Sequence, residues 1–424
     1  MAAPQQRTHH YLARLLERFG MEELAERLRP KPEVPGNAIP RNPYLTTQAI
    51  EARWKRMNAS SACRENLLDA QTVAQMNVYE RNIENFIGTV KLPVGIAGPL
   101  RVNGLHAQGD YLVPLATSEA ALVASYSRGA SLLTKAGGCT AMLLNEGVTR
   151  APGFAFRDLI EAGRFAVWAT ENMEAFREVA ASTTRHGRLQ DMRLTIEGNH
   201  VYLGFDYLTG DASGQNMVTI ATDAVCQHIL EHTPVKPQYS FVEANLSGDK
   251  KASAQSFLSV RGKKVSAEVR LPGELVTKML HTTSQRMVDY WRMSAMGGVL
   301  SGTIGVQGHY ANGLAALYIA CGQDAACVSE SAVGVTRFEL GDDGSLYAAV
   351  TMPNLIVGTV GGGTGLPSQR ACLELLGLAG PGNAQALAEV CAALSLAGEL
   401  SIIGALAAGH FTRAHRQLAR GTKA

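Results

Sequence analysis

The stretch LQDMRLTIEGNHVYLGFDYL, Leu189–Leu208, decides how the middle of the chain folds. Apolar and polar residues alternate on both sides of Gly198-Asn199, the pattern of two half-buried strands joined by a tight turn. Outward from it, GFAF (153–156) reads as a strand and RDLIEAGRFAVWATENMEAFREVAAS (157–182) as a helix. NMVTIATDAVCQHILEH (216–232) reads as a second helix and YSFVEA (239–244) as a last strand. The order β-α-β-β-α-β over residues 151–244 is that of a split, ferredoxin-like unit. Residues 81–150 and 245–424 are rich in Gly and Ala and flank this unit. Residues 1–80 carry two amphipathic helical patterns broken at Gly20, a proline-rich connector RPKPEVPGNAIPRNP (29–43), and a helical stretch around 46–78. The expected architecture is therefore α+β and multidomain. A large helix-rich α/β domain is interrupted by the ferredoxin-like insertion and preceded by a small helical domain.

Composition narrows the function classes. The 424 residues can bury a large core and exceed one usual compact unit. Charged residues make up 18%, against about 25% in an average soluble protein, which points to much buried interface and a homo-oligomer. A formal net charge of +2 with scattered basic residues gives no basic stripe for nucleic acid. Seven cysteines without a CxxC pair read as reduced, packed thiols of the cytosol. MAAPQQRTHHYLARLLERFG (1–20) lacks the apolar core of a signal peptide. AEVCAALSLAGELSIIGALAAGH (388–410) is interrupted by Glu389 and Glu399, which favours a buried helix over a membrane span. A soluble, cytoplasmic protein without a membrane partner is expected.

Several motifs admit more than one reading. HILEH (228–232) matches H-x-x-E-H, yet His228 and His232 continue an apolar helical stripe and fall at the helix end. Packed histidines are favoured over zinc, and no metal site is expected. No G-x-G-x-x-G follows a strand and no P-loop occurs. Gly361, Gly362 and Gly363 after an apolar strand would let backbone approach a ligand, or would form a tight turn. Glu119, after Ser118, reads as a first-turn acid or as a chemical group. Asp324 ends an apolar helical run, where a carboxylate is costly unless paired. Asp249, Lys250 and Lys251 crowd three charges between small residues, either as a solvated loop or as a site. One buried-type Lys, two lone acids and a terminal His could together perform acid–base chemistry around an oxyanion.

Seven blocks carry a family resemblance: ENFIGTVKLPVGIAGPL (84–100), ATSEAALVASYSRG (116–129), GDASGQNMV (210–218), DKK (249–251), CGQDAA (321–326), TMPNLIVGTVGGGTGLP (351–367) and GELSIIGALAAGH (398–410). In this order they resemble 3-hydroxy-3-methylglutaryl-CoA (HMG-CoA) reductase over roughly residues 80–421, in the class I, soluble microbial form. The resemblance implies reduction of HMG-CoA to mevalonate and CoA with two NADPH, through hemithioacetal and mevaldehyde. It implies Glu119 as proton donor or relay acid, Lys250 as oxyanion stabiliser, Asp324 as the acid tuning both, and His415 as the group protonating the CoA thiolate. Ser125, Arg128, Arg150, Asp249, Lys251, His309, Asn312 and Leu406 would hold substrate. Thr184, Arg185, Asp211, Gly214 and Asn216 of the insertion would hold NADPH, with Val360, Gly361, Gly362, Gly363 and Arg420. The insertion is then the cofactor domain, the flanking halves the substrate domain, and active sites form between subunits of a dimer or tetramer. Three positions depart from the pattern: Glu243 replaces a small residue, Ser131 a basic one, and Met293 a lysine.

Overall fold

The chain divides into two units, Met1–Val90 and Lys91–Ala424; in the first, Leu45, Ile50, Trp54 and Phe86 form a small core with residues between 57 and 87. The computed structural model describes residues 5–32, 39 and 44–410. The first unit contains α1 (Gln5–Phe19), α2 (Met21–Leu28), α3 (Thr47–Arg56), α4 (Ser61–Leu67) and α5 (Ala70–Ala74). Gly20 separates α1 from α2 as the sequence suggests. Side chains of Thr46, Ser60 and Asp69 cap the next three helices by accepting first-turn N–H groups. The unit runs ten residues past the expected boundary at 80. Arg53 donates to the Phe86 carbonyl at 3.0 Å, and the Trp54 indole to that of Ile87 at 3.0 Å.

In the second unit the elements run β1 (Val94–Gly104), β2 (Gln108–Ala116), α6 (Leu122–Lys135), β3 (Cys139–Arg150), β4 (Gly153–Ala155), α7 (Leu159–Glu171) and α8 (Met173–Thr183). Next come β5 (Arg188–Glu197), β6 (His200–Leu208), α9 (Gln215–His232), β7 (Tyr239–Phe241), β8 (Gly262–Leu271), α10 (Gly273–Leu280) and α11 (Ser284–Ser301). The chain closes with α12 (Tyr310–Ala320), α13 (Val328–Ser331), β9 (Val335–Leu340), β10 (Leu346–Leu355), α14 (Pro367–Leu375) and α15 (Ala384–Ala407).

The alternating stretch forms the β5–β6 hairpin, with β4 and β7 completing the order β7-β4-β6-β5, all antiparallel. That is the order fourth-first-third-second of a split βαββαβ unit. The single helix expected over 157–182 breaks at Asn172, whose side chain donates to the Trp168 carbonyl at 2.8 Å. The break lets Phe165 and Phe176 enter one core with Phe154, Phe156 and Phe205.

The larger sheet runs β2-β1-β3-β8-β10-β9. The two sheets are continuous. Val148–Arg150 at the end of β3 pairs with Phe205–Tyr207 of β6, on the edge that β4 extends. A boundary at 150 therefore cuts through paired strand, because β3 belongs to both sheets. Helix α15 lies against the larger sheet, nearly every residue buried. A Cβ on Gly129 would meet the Ala397 carbonyl at 1.9 Å, so glycine lets α6 close on α15. Glu389 and Glu399 are fully buried on α15 and bound by backbone donors: Glu389 by His106, Ala107 and Leu143, Glu399 by Gly308 and His309. The helix is long and apolar enough to cross a bilayer, but here it is the core.

Candidate active site

Two groups of the expected residues assemble in the structure. In the first, the Lys250 ammonium lies 2.8 Å from the Asp324 carboxylate, with side chains 43% and 41% exposed. The lysine is thus half-exposed in the single chain rather than buried. Its φ is +55°, in the left-handed region that a non-glycine residue enters only when its surroundings hold it there. Its N–H donates to Glu330 Oε1 at 3.1 Å. Asp324 accepts the Ala326 N–H at 3.0 Å through its other oxygen, so the turn carrying it is capped. The hydrogen bond to Asp324 raises the Lys250 pKa above its ordinary value, against partial burial.

Below this pair lies a buried charge network. Asp249 accepts from Arg261 at 2.7 Å and Arg150 at 2.9 Å. Arg261 also pairs with Glu330 and donates to Gln215 Oε1 at 2.8 Å, while Arg150 reaches Glu243 at 3.3 Å. Burial would push the Asp249 carboxyl up, but Arg261 and Arg150 outweigh it and hold it below its ordinary value. Burial dominates at Glu330, whose pKa is raised despite Arg261. Asp249 is therefore engaged by protein cations, and Lys251 is exposed, donating to the Asp249 carbonyl at 2.8 Å. Glu330 and Arg261 escape a sequence reading that follows motifs, and Gln215 goes unnoticed within GDASGQNMV (210–218). Glu330 did leave a signal, a single acid in CVSESAVG (327–334), the same kind that singled out Asp324.

The second group lines a cleft of about 360 Å³ containing Glu119, Ser125, Arg128, His309, Asn312 and Leu406. Helix α6 begins at Leu122, so Glu119 is no first-turn acid and Ser118 no cap. Glu119 stands in the preceding loop and accepts from the Asn312 amide at 2.9 Å. Arg128 and Ser125 bond to Ser401 of α15. His309 stacks on Tyr126 at 4.9 Å, and its Nε2 lies 2.9 Å from the Gly398 carbonyl. Glu399 fixes the turn that carries it. No hydrogen bond or ion pair among the described residues joins Glu119 to Lys250.

The expected cofactor residues adjoin the first group at two points: Gln215, between Gly214 and Asn216, accepts from Arg261 at 2.8 Å, and Gly363 packs against Gly322, two residues before Asp324. Gly361 and Gly362 adopt φ of +73° and +54°, and a Cβ on either would meet nothing within 4 Å: open, approachable backbone. Asp211 is occupied, accepting N–H groups of Gly382 at 2.8 Å and Ala384 at 3.1 Å, while its carbonyl accepts from Thr359 and Val360. The Thr184 hydroxyl accepts from His186 and Gly187. Arg185 is exposed. Asn216 follows Gly214, the left-handed cap of α9, whose first turn has neither an acidic residue nor a side-chain cap. His228 and His232 stack at 4.1 Å, and no cluster of metal-ligating residues occurs among the described residues. His415 and Arg420 lie outside the described residues.

Comparison with known proteins converges on one family. The profile of Hydroxymethylglutaryl-coenzyme A reductase matches residues 49–420. The 3-hydroxy-3-methylglutaryl-coenzyme A reductase of Methanothermobacter thermautotrophicus is 46% identical, over 88% of this chain and 94% of its own. That of Aeropyrum pernix is 46% identical, over 89% and 93%. The class II reductase of Streptococcus pneumoniae, solved bound to NADPH in open conformations, superposes with a TM-score of 0.64 at 20% identity, over 86% and 97% of the two chains; it supports the fold. With its motifs in register and relatives at this identity along almost their whole length, the chain belongs to the hydroxymethylglutaryl-coenzyme A reductase family.

Proposed function

We propose that this chain reduces (S)-HMG-CoA to mevalonate and CoA at the Lys250–Asp324 pair, as an NADPH-dependent oxidoreductase of the mevalonate pathway. The observation that carries the reading is the ion pair itself, on a lysine whose backbone is held in a left-handed conformation. Hydride addition to a thioester or aldehyde carbonyl turns its oxygen into an alkoxide, and an ammonium aimed there stabilises it. Asp324 keeps Lys250 protonated, since the pair raises the ammonium pKa. A Schiff-base aldolase would need the neutral amine, so the pair argues against that alternative. Glu119 supplies the proton to the alkoxide, oriented by Asn312. His415 protonates the departing thiolate. The substrate carboxylate takes the place of Glu243 on Arg150, whose 3.3 Å contact is long for a charged pair.

NADPH, when bound, supplies hydride, two per turnover. The residues present fit it: open backbone at Gly361 and Gly362, an exposed Arg185, and the uncapped first turn of α9 beside Asn216. The βαββαβ unit, near residues 151–244, is the cofactor domain, and the flanking segments form the substrate domain. Asp211 shapes this site by tying the 359–360 backbone to the start of α15 rather than by presenting a free carboxylate.

A second copy completes the active site, in a homodimer or homotetramer. Two observations support this. Lys250 and Asp324 are more open than an oxyanion site in a low dielectric should be. Helix α11 exposes Met293, Met296, Val299 and Leu300, an apolar face of the kind that subunits cover. Seven unpaired cysteines agree with a cytoplasmic setting. The deciding assay follows NADPH oxidation with HMG-CoA. Two cofactors consumed per CoA released is the expected count, and no HMG-CoA-dependent oxidation would refute the activity.

A further inference from the structure

We infer that Glu330 is a positioning residue for Lys250. By accepting the Lys250 backbone N–H, it holds the lysine in the left-handed conformation that carries the ammonium onto Asp324. The inference rests on the reading of Lys250 as the oxyanion cation.

Three observations converge on Glu330. Its side chain is 0% exposed, so the carboxylate has left water altogether and its two oxygens must be satisfied internally. One oxygen takes the Arg261 guanidinium and the other the Lys250 N–H at 3.1 Å. Arg261 in turn donates to Asp249 at 2.7 Å, so a single buried ion pair grips two consecutive residues of the loop, Asp249 through Arg261 and Lys250 directly.

Geometry gives the arrangement its purpose. Asp324 and Glu330 stand on one short run of turns, Asp324 capping Ala325–Cys327 and Glu330 within Val328–Ser331. Lys250 is thus held at both ends by the same segment, its main chain by Glu330 and its ammonium by Asp324. A long, half-exposed lysine samples many rotamers when only its tip is held. Fixing φ at +55° removes the freedom nearest the backbone, where a small rotation moves the ammonium furthest. A buried ion pair kept for stability alone would be replaceable by apolar residues of similar volume. No apolar residue at 330 could accept the Lys250 N–H.

The test is a double-mutant cycle on the full chain, with Glu330→Ala, Lys250→Ala and both together, read in single turnovers at high enzyme concentration with HMG-CoA and with mevaldehyde. A misplaced ammonium should lower the Glu330→Ala rate about 10- to 100-fold with both substrates while the KM for NADPH stays within about twofold. The double variant should be no slower than Lys250→Ala, because Glu330 acts through the lysine. Should the alanine variant not fold, Glu330→Asp replaces it: it keeps a charge for Arg261 but withdraws from the N–H, with the same expectation. A wild-type rate at position 330, or a loss that multiplies onto Lys250→Ala, overturns the inference. Either result in an enzyme that still reduces HMG-CoA leaves the activity standing, whereas an inactive wild type would instead remove the reading of Lys250.

Discussion

Among the three charges at 249–251, each residue has a different fate. Asp249 is bound by two arginines, Lys251 stays in solvent, and Lys250 meets Asp324. Only Lys251 fits a solvated loop. Both carbonyl reductions create an alkoxide, so Lys250→Ala should slow HMG-CoA and mevaldehyde reduction alike, by about 10²-fold or more, on the order of 3 kcal/mol. Near-normal turnover of a folded variant would return Lys250 to a structural role. His415 should separate the two steps. A thiolate leaves only from the first, and a histidine with a pKa near working pH can trap it as the thiol. His415→Gln should therefore impair HMG-CoA reduction much more than reduction of supplied mevaldehyde. Equal losses would deny it the thiolate.

At the scale of elements, strand β8 holds a further charge. Lys263 at its start is buried, with its ammonium 3.8 Å from Glu146 and 3.5 Å from the Val357 carbonyl, both long contacts. Burial lowers its pKa below 10.5, against the pull of Glu146. The folded state thus binds this proton less tightly than the unfolded chain does. The penalty is full below the folded pKa and fades as pH rises from there towards 10.5. Because Glu146 is 28% exposed and stays solvated once the ammonium is gone, Lys263→Met should raise the melting temperature at pH 7, and the gain should shrink by pH 10. A destabilised Met variant at pH 7 would show the ammonium to be better satisfied than its contacts indicate. On α15, by contrast, Glu389 and Glu399 have full sets of N–H donors, and the same apolar exchange there would orphan backbone groups.

For the whole molecule, the question is whether Glu119 and Lys250 of one chain serve the same site. The Glu119 cleft and the Lys250–Asp324 pair share no bond among the described residues, although both belong to the same unit. If the site forms between copies, Glu119 of one subunit meets Lys250 of another. Mixing Glu119→Gln chains with Lys250→Ala chains, unfolded and refolded together, should then restore up to about a quarter of wild-type activity, since random pairing into dimers leaves that share of sites intact. A mixture as inactive as either parent would place Glu119 and Lys250 of one chain in one site.

Sequence alone determined the periodic parts and the motif-bearing loops. Alternation over Leu189–Leu208 specified a hairpin because side chains of a strand face opposite sides, and Gly20 ended a helix because glycine ends one locally. Lone acids drew notice to Asp324, where an unpaired carboxylate ending an apolar run is costly, and to Glu119, although both stand partly exposed. Other features depended on distant partners. Asn172 divides a continuous helical pattern because both flanking faces must reach one aromatic core. Strand β3 serves two sheets because Val148–Arg150 meets Phe205–Tyr207, some 57 residues away in sequence. Glu330 grips Lys250 across 80 residues. Local pattern reports which groups must be hidden or paired; which partner each finds is set only when the chain closes on itself.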